Sequence, residues 1–132
     1  VKYSYHEDGT QPTKEQIFVF GSNLAGVHGA GAAKQAIEYG AQWGRGTKWS
    51  GGRTYAIPSK DRNIKTMSLT EIDKYIKIFL YDTELNPQLT FFITRIGCEL
   101  AGYKDSDIAP LFKGASNNCN FPKEWKEYLE DE

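Results

Sequence analysis

Residues Ile17 to Ile37 hold an apolar run that stops at Gly21, a polar Ser22-Asn23 pair, a glycine-rich turn and an alanine-rich helical pattern. Few folds accommodate that succession. Strand, glycine loop and helix in this order is the unit with which α/β proteins build anion sites. The loop lets backbone N–H groups approach a ligand, and the helix start adds the positive end of its dipole. Ile17 to Phe20 is short, wholly apolar and rich in β-branched and aromatic residues, as a strand buried on both faces of a sheet should be. Nine of the 13 glycines fall between Gly21 and Gly52. Glycines crowded in this way serve backbone geometry, either positive φ or close approach of another group. The expected occupant is a phosphorylated small molecule, most simply a nucleotide derivative.

The rest of the chain supplies the partners of this unit. Val1 to Tyr5 alternates weakly and reads as an edge strand, and His6 to Gln16 is polar with turn signals. Gly29 to Tyr39 reads as a helix with small residues on one face, stopped by Gly40. Ala41 to Arg53 lacks periodicity and reads as a mobile loop, with Trp43 and Trp49 either packing anchors or a cover for an adenine ring. Thr54 to Ile57 is a second strand, ending in a polar turn from Pro58 to Asn63. Ser68-Leu-Thr-Glu71 is a capping-box pattern, and Ile72, Ile76, Phe79 and Leu80 lie on one helical face. Asn86-Pro87 closes that helix. Leu89 to Ile93 is a third strand, running into a second glycine loop at Thr94 to Gly102. Asp105 reads as the cap of a short helix, and Pro122 as the first turn of a last one anchored by Trp125 and Leu129. Asn117, Asn118 and Asn120 read as a polar loop. Strands alternating with helices imply a largely parallel sheet covered on both faces. Both glycine loops follow strands, so they should meet in one crevice at one sheet edge.

Composition narrows the classes. The 132 residues suit a single domain, 1–132, with a real core. Sixteen basic residues against 17 acidic ones, for a net charge of -1, argue against a general nucleic-acid binder. No run approaches the roughly 18 apolar residues of a membrane span, and the first residues lack a signal-peptide apolar region. Cys98 and Cys119 have no metal spacing, so a reduced, cytoplasmic chain is expected, with no metal or cofactor. Cys98 reads as a small buried hydrophobe.

Phe18-Val-Phe-Gly-Ser-Asn-Leu-Ala-Gly-Val-His-Gly-Ala-Gly-Ala-Ala resembles the macrodomain superfamily, which binds ADP-ribose. The resemblance implies a three-layer α/β/α fold with a mixed, mostly parallel sheet. It implies that Asn23 contacts the distal ribose and that Gly29, Ala30 and Gly31 lie beside that ribose and the phosphates, with Gly21, Ser22 and His28 in the same ligand loop. Arg95-Ile-Gly-Cys-Glu-Leu-Ala-Gly102 is similar to the Arg-Ile-Gly-Cys-Gly-Leu loop of the branch that includes the terminal ADP-ribose protein glycohydrolase. That loop wraps the diphosphate, which implies ligand contacts at Gly97, Cys98, Glu99, Leu100, Ala101 and Gly102. Tyr55-Ala-Ile-Pro-Ser-Lys-Asp-Arg looks like the same branch's strand and lysine-bearing turn. On that match Lys60 and Asp61 are the catalytic candidates and Arg62 a ligand contact. The chain also looks like small macrodomain-like proteins of bacteria and their phages. Three features depart from the pattern. No Gly-Asp-Ile turn is present, since Asp8 precedes Gly9. Glu99 replaces a glycine, and Ala101 stands where the branch has its aspartate.

Two readings stay open. One is an enzyme that removes ADP-ribose from a modified macromolecule, with Lys60 as a Schiff-base nucleophile or Asp61 activating water. The other is a non-catalytic module that sequesters an ADP-ribose-derived nucleotide signal.

Overall fold

The computed structural model describes residues 3–98 and 100–130. In chain order the elements are β1 (Ser4–His6), β2 (Gln16–Asn23), α1 (Gly31–Ile37), β3 (Lys48–Gly51), β4 (Thr54–Lys60), α2 (Leu69–Leu85), β5 (Thr90–Ile93), α3 (Asp105–Ile108), β6 (Cys119–Pro122) and α4 (Lys126–Leu129). Single 3-10 turns follow α3 and β6. The strands form one six-stranded sheet in the order β1-β6-β5-β2-β4-β3. Its neighbours run parallel except for the antiparallel β3–β4 pair.

The period-2 geometry of β2 divides the core into two layers. Ile17 and Val19 face a layer with Ile72, Ile76 and Phe79 of α2, where Phe112, Phe121 and Trp125 also pack. Phe18 and Phe20 face the other layer, closed by Ala33 and Ala36 of α1. Alanine on that helix lets it lie close to a surface of phenylalanine rings. Ser68 caps α2 through a full capping box with Glu71, as its sequence pattern requires.

Two strands form where the sequence reads as loop. β3 lies inside the stretch expected to be mobile, and β6 covers Asn120 and Pro122, expected in a polar loop and a helix start. Each is four residues long, too short to show a period. Both are made by pairing: β6 fits between β1 and β5, and β3 lies against residues 54–56 of β4. Trp49 packs its ring 5.0 Å from Tyr55 and 6.0 Å from Phe91. Trp43 is 59% exposed, its ring 5.9 Å from that of His28.

β2 and β4 also run further than their apolar cores. β4 continues through Pro58, which pairs with Ser22 of β2. Proline is tolerated there because β3 ends its pairing at Ala56, leaving that flank of β4 open. Asp105 opens α3 instead of capping it; the cap position belongs to Lys104. Among the described residues, no helix is long and apolar enough to cross a membrane.

Candidate functional site

The carboxyl ends of β2, β4 and β5 open onto one cleft of about 210 Å³. A methyl group on Gly21 would lie 3.5 Å from the amide nitrogen of Gly97, so the strand ends that carry the two glycine motifs do meet. Between β2 and β4 the register shifts: Ser22 pairs with Pro58 and Asn23 with Lys60, which leaves Ser59 as an extra residue. Such a bulge re-aims side chains. Ser59 and Lys60 therefore both line the cleft, although consecutive residues of a regular strand point to opposite faces.

Of the residues expected at the ligand, Gly21, Ser22, Asn23, Gly29 and Ala30 line this cleft, as do Gly97, Leu100 and Ala101. Ser22 is buried and donates its hydroxyl to the Gly46 carbonyl. The Asn23 carboxamide holds the Val27 backbone at both ends, donating to its carbonyl at 2.9 Å and accepting its N–H at 3.0 Å. The first intrahelical bond of α1 runs from the Lys34 N–H to the Ala30 carbonyl, and no side chain caps this helix.

Others lie elsewhere. His28 is fully buried beneath the 41–47 loop, its Nε2 bonded to the Gln42 carbonyl at 2.8 Å and its ring edge-on to Phe20. The Asp61 carboxylate accepts backbone N–H groups from Asn63 at 2.8 Å and Lys65 at 3.0 Å, closing its own turn; Asp61 does not line the cleft, although Ile64 within that turn does. Arg62 is exposed and Cys98 half-buried, and neither lines the cleft; nor does Gly102. Burial, with the charge of Asp105, pushes the Cys98 thiol up to about 12, far from a reactive thiolate. Glu99 lies outside the described residues. The glycines of 40–52 serve a different purpose from ligand approach, because they pack backbone against backbone around the 23–29 loop and against one another.

Arg95 is the functional candidate that residue-by-residue reading passed over, though it begins the second glycine motif. It forms a two-pronged ion pair with Asp105, Nε at 3.0 Å and Nη2 at 2.8 Å. The Trp125 indole donates to the same carboxylate at 2.7 Å. Burial opposes the charge on Asp105, but the bonds from Arg95 and Trp125 outweigh it and hold the carboxyl below its ordinary range. The pairing uses two of the five guanidinium donors.

Arg95 also lines a second cleft of about 240 Å³, with Thr94 and Ala32 shared between the two. Gly31 lies here rather than in the first cleft. Charge separates the two spaces. Lys60 and Arg95 are the charged residues lining the first cleft among the described residues. The second adds Glu7, Asp8 and Glu124. His6, to which the sequence gives no role, lines it and stacks on Phe92 with centroids 3.9 Å apart. No group of three His, Cys, Asp or Glu side chains among the described residues has metal-binding geometry.

Burial holds the His6 imidazole below its ordinary pKa, and its Nδ1 meets the Asn120 carboxamide oxygen. The unfolded chain takes up a proton near pH 6.5, where the folded chain does not. Stability is therefore full above that pH and falls as the pH drops through it toward the lower folded value. Melting curves from pH 8 to 5 should show this loss, and His6→Phe should flatten it. An unchanged profile in the variant would show that His6 is not the group responsible.

No family model and no curated protein sequence matches the chain. Among solved structures, it superposes on Thermosipho africanus DarTG in complex with ADP-ribose with a TM-score of 0.57. The match covers 83% of this chain at 14% identity. The fold is macrodomain-like. The α/β architecture with a mixed, mostly parallel sheet, expected from the sequence, is the one observed. The chain spans 39% of the DarTG chain.

Proposed function

We propose that this chain binds ADP-ribose, or a closely related nucleotide, along the groove made by its two adjoining clefts. The observation that carries this reading is the placement of Arg95 at their junction, between a cationic cleft and an acid-rimmed one. A diphosphate fits beside Arg95 and within reach of the glycine loops at Gly29 and Gly97, where backbone N–H groups complement its charge without a basic protein surface. The carboxylates of the second cleft repel phosphate but accept N–H donors, which suits a nucleobase with an amino group. The distal sugar then falls in the first cleft, near Asn23 and Lys60. The fold shared with a structure that holds ADP-ribose supports the same assignment.

Capture without hydrolysis is the reading that the carboxylates favour. Asp61 is committed to its own turn, and Ala101 brings no acid to the cleft. The enzyme reading rests on Lys60, whose position in the cleft would let an unprotonated amine reach a ring-opened sugar.

Calorimetric titration with ADP-ribose tests binding, and release of ADP-ribose from a modified protein tests turnover. Saturable 1:1 binding without release is expected. Lys60→Ala should weaken binding about tenfold, equivalent to roughly 1.4 kcal/mol. No binding at millimolar ADP-ribose would sink the proposal, and release that Lys60→Ala abolishes would establish the enzyme reading instead.

A further inference from the structure

Three residues lining the first cleft are large, aliphatic and exposed: Val27 at 44%, Ile64 at 44% and Leu100 at 61%. Lining and exposure together place them on its rim. Exposed aliphatic side chains are unremarkable singly. Hydrogen bonds brace the segments that carry these three.

The Asn23 carboxamide pins the Val27 backbone through both its N–H and its carbonyl. The Asp61 carboxylate pins the N–H groups on either side of Ile64, those of Asn63 and Lys65. Backbone bonds from the Ile64 N–H to the Asp61 carbonyl, 3.1 Å, and from the Asp61 N–H to the Lys65 carbonyl, 2.8 Å, complete the turn. The Thr66 hydroxyl donates to the Ala101 carbonyl at 3.0 Å, tying the Leu100 segment to the Ile64 turn.

Ile64 carries a further signal. Its φ is +62°, a left-handed conformation in which β-branched residues are outliers and asparagine or glycine are at ease. Burial does not explain the choice, because the side chain is exposed. An isoleucine kept there against its backbone preference has its use toward the cleft.

We infer that Val27, Ile64 and Leu100 form a pre-organised apolar clamp that recognises an uncharged, planar group carried on the distal sugar of the bound nucleotide. This deepens the proposed function and rests on it. Aliphatic jaws offer flat contact to the face of a ring, and a charged substituent would lose hydration there without gaining a partner. Because the jaws are already braced, little ordering entropy opposes the contact. The groove then reads three chemistries in order: hydrogen-bond donors at its acidic end, diphosphate at Arg95, and an apolar ring face at the rim.

The test uses the full chain and three probes that share the ADP-ribose skeleton. These are ADP-ribose itself, the reduced nicotinamide dinucleotide with its uncharged ring, and the oxidised dinucleotide with a cationic ring. Calorimetry should show the reduced dinucleotide binding at least fivefold more tightly than ADP-ribose, and the oxidised one gaining less. Ile64→Asn, which suits the backbone, should bring the reduced dinucleotide to within twofold of ADP-ribose while the melting temperature holds or rises. Leu100→Ser, at the most exposed of the three positions, should narrow the same gap and gives a second reading of the clamp.

Equal affinity for all three probes, or a gap that survives both substitutions, would overturn the clamp while leaving ADP-ribose binding in place. A fall in melting temperature in Ile64→Asn would show that the side chain serves the fold, and would overturn it too. Failure to bind any of the three probes would remove the nucleotide reading and the clamp together.

Discussion

Gly46→Ala is expected to destabilise the fold by about 3 kcal/mol, a large share of the roughly 5–15 kcal/mol that holds a domain of this size together. The added methyl would stand 2.0 Å from the Asn23 carbonyl oxygen and 3.1 Å from the Gly26 nitrogen. Both are backbone atoms, so no side-chain rotation relieves the clash. The two loops that meet here are stitched by the Gly44 N–H to the Gly26 carbonyl at 2.9 Å and by the Ser22 hydroxyl to the Gly46 carbonyl. Pushing them apart would also displace Asn23, which braces Val27 at the cleft. Gly29→Ala is the contrasting substitution. Its methyl would meet only Val27 Cγ1, at 4.0 Å, so stability should change by less than about 1 kcal/mol. Urea titrations of the two variants compare them directly. A Gly46→Ala cost below that of Gly29→Ala would refute the close-crossing account.

The second large effect concerns Arg95. Arg95→Leu should lower ADP-ribose affinity at least tenfold and stability by roughly 1.5–3 kcal/mol, the usual range for a lost hydrogen bond to a charged group. Asp105, whose side chain is 20% exposed beside Arg95, would keep the Trp125 indole as its remaining partner among the bonds described above. The pair also has an acid signature. Its bonds hold the Asp105 pKa below the unfolded value near 4, so its stabilisation is fully present above that pH and is lost as the pH falls through the folded value. Thermal melts between pH 5 and 2.5 should therefore be steeper for the unmodified chain than for Asp105→Asn. This window lies below the one governed by His6, so the two can be separated. If Arg95→Leu binds ADP-ribose normally, the junction of the clefts is not where the diphosphate sits.

Much of this architecture can be read from local pattern. The alternation of Ile17, Phe18, Val19 and Phe20 assigns each residue to one of two core layers, because a strand's side chains can only alternate. Ser68 and Glu71 mark the start of α2 because orphan N–H groups there need a partner within three residues. The Arg95-Ile-Gly-Cys motif and the Lys60 turn pointed to the sheet edge where the cleft lies. Each signal acts over a few residues, so the sequence carries it whole.

What escaped the sequence acts over distance. Cys119–Pro122 becomes a strand only because β1 and β5 flank it, and Lys48–Gly51 only because β4 offers an edge. Lys60 reaches the cleft through a bulge that exists only once β2 and β4 are paired. Asp61 and His28 have the chemistry of site residues, yet the nearest acceptors and donors in the folded chain claim them, backbone amides for one and the Gln42 carbonyl for the other. Gly46 read as part of a mobile loop, but the neighbour that demands its missing side chain is Asn23, more than twenty residues away. By itself the sequence determined the cores of β2, β4 and β5, the capped helix and the sheet edge where polar groups gather. Only the tertiary structure decided which of those groups stay free to meet a ligand, because a hydrogen bond is claimed by whichever partner the fold brings within about 3 Å.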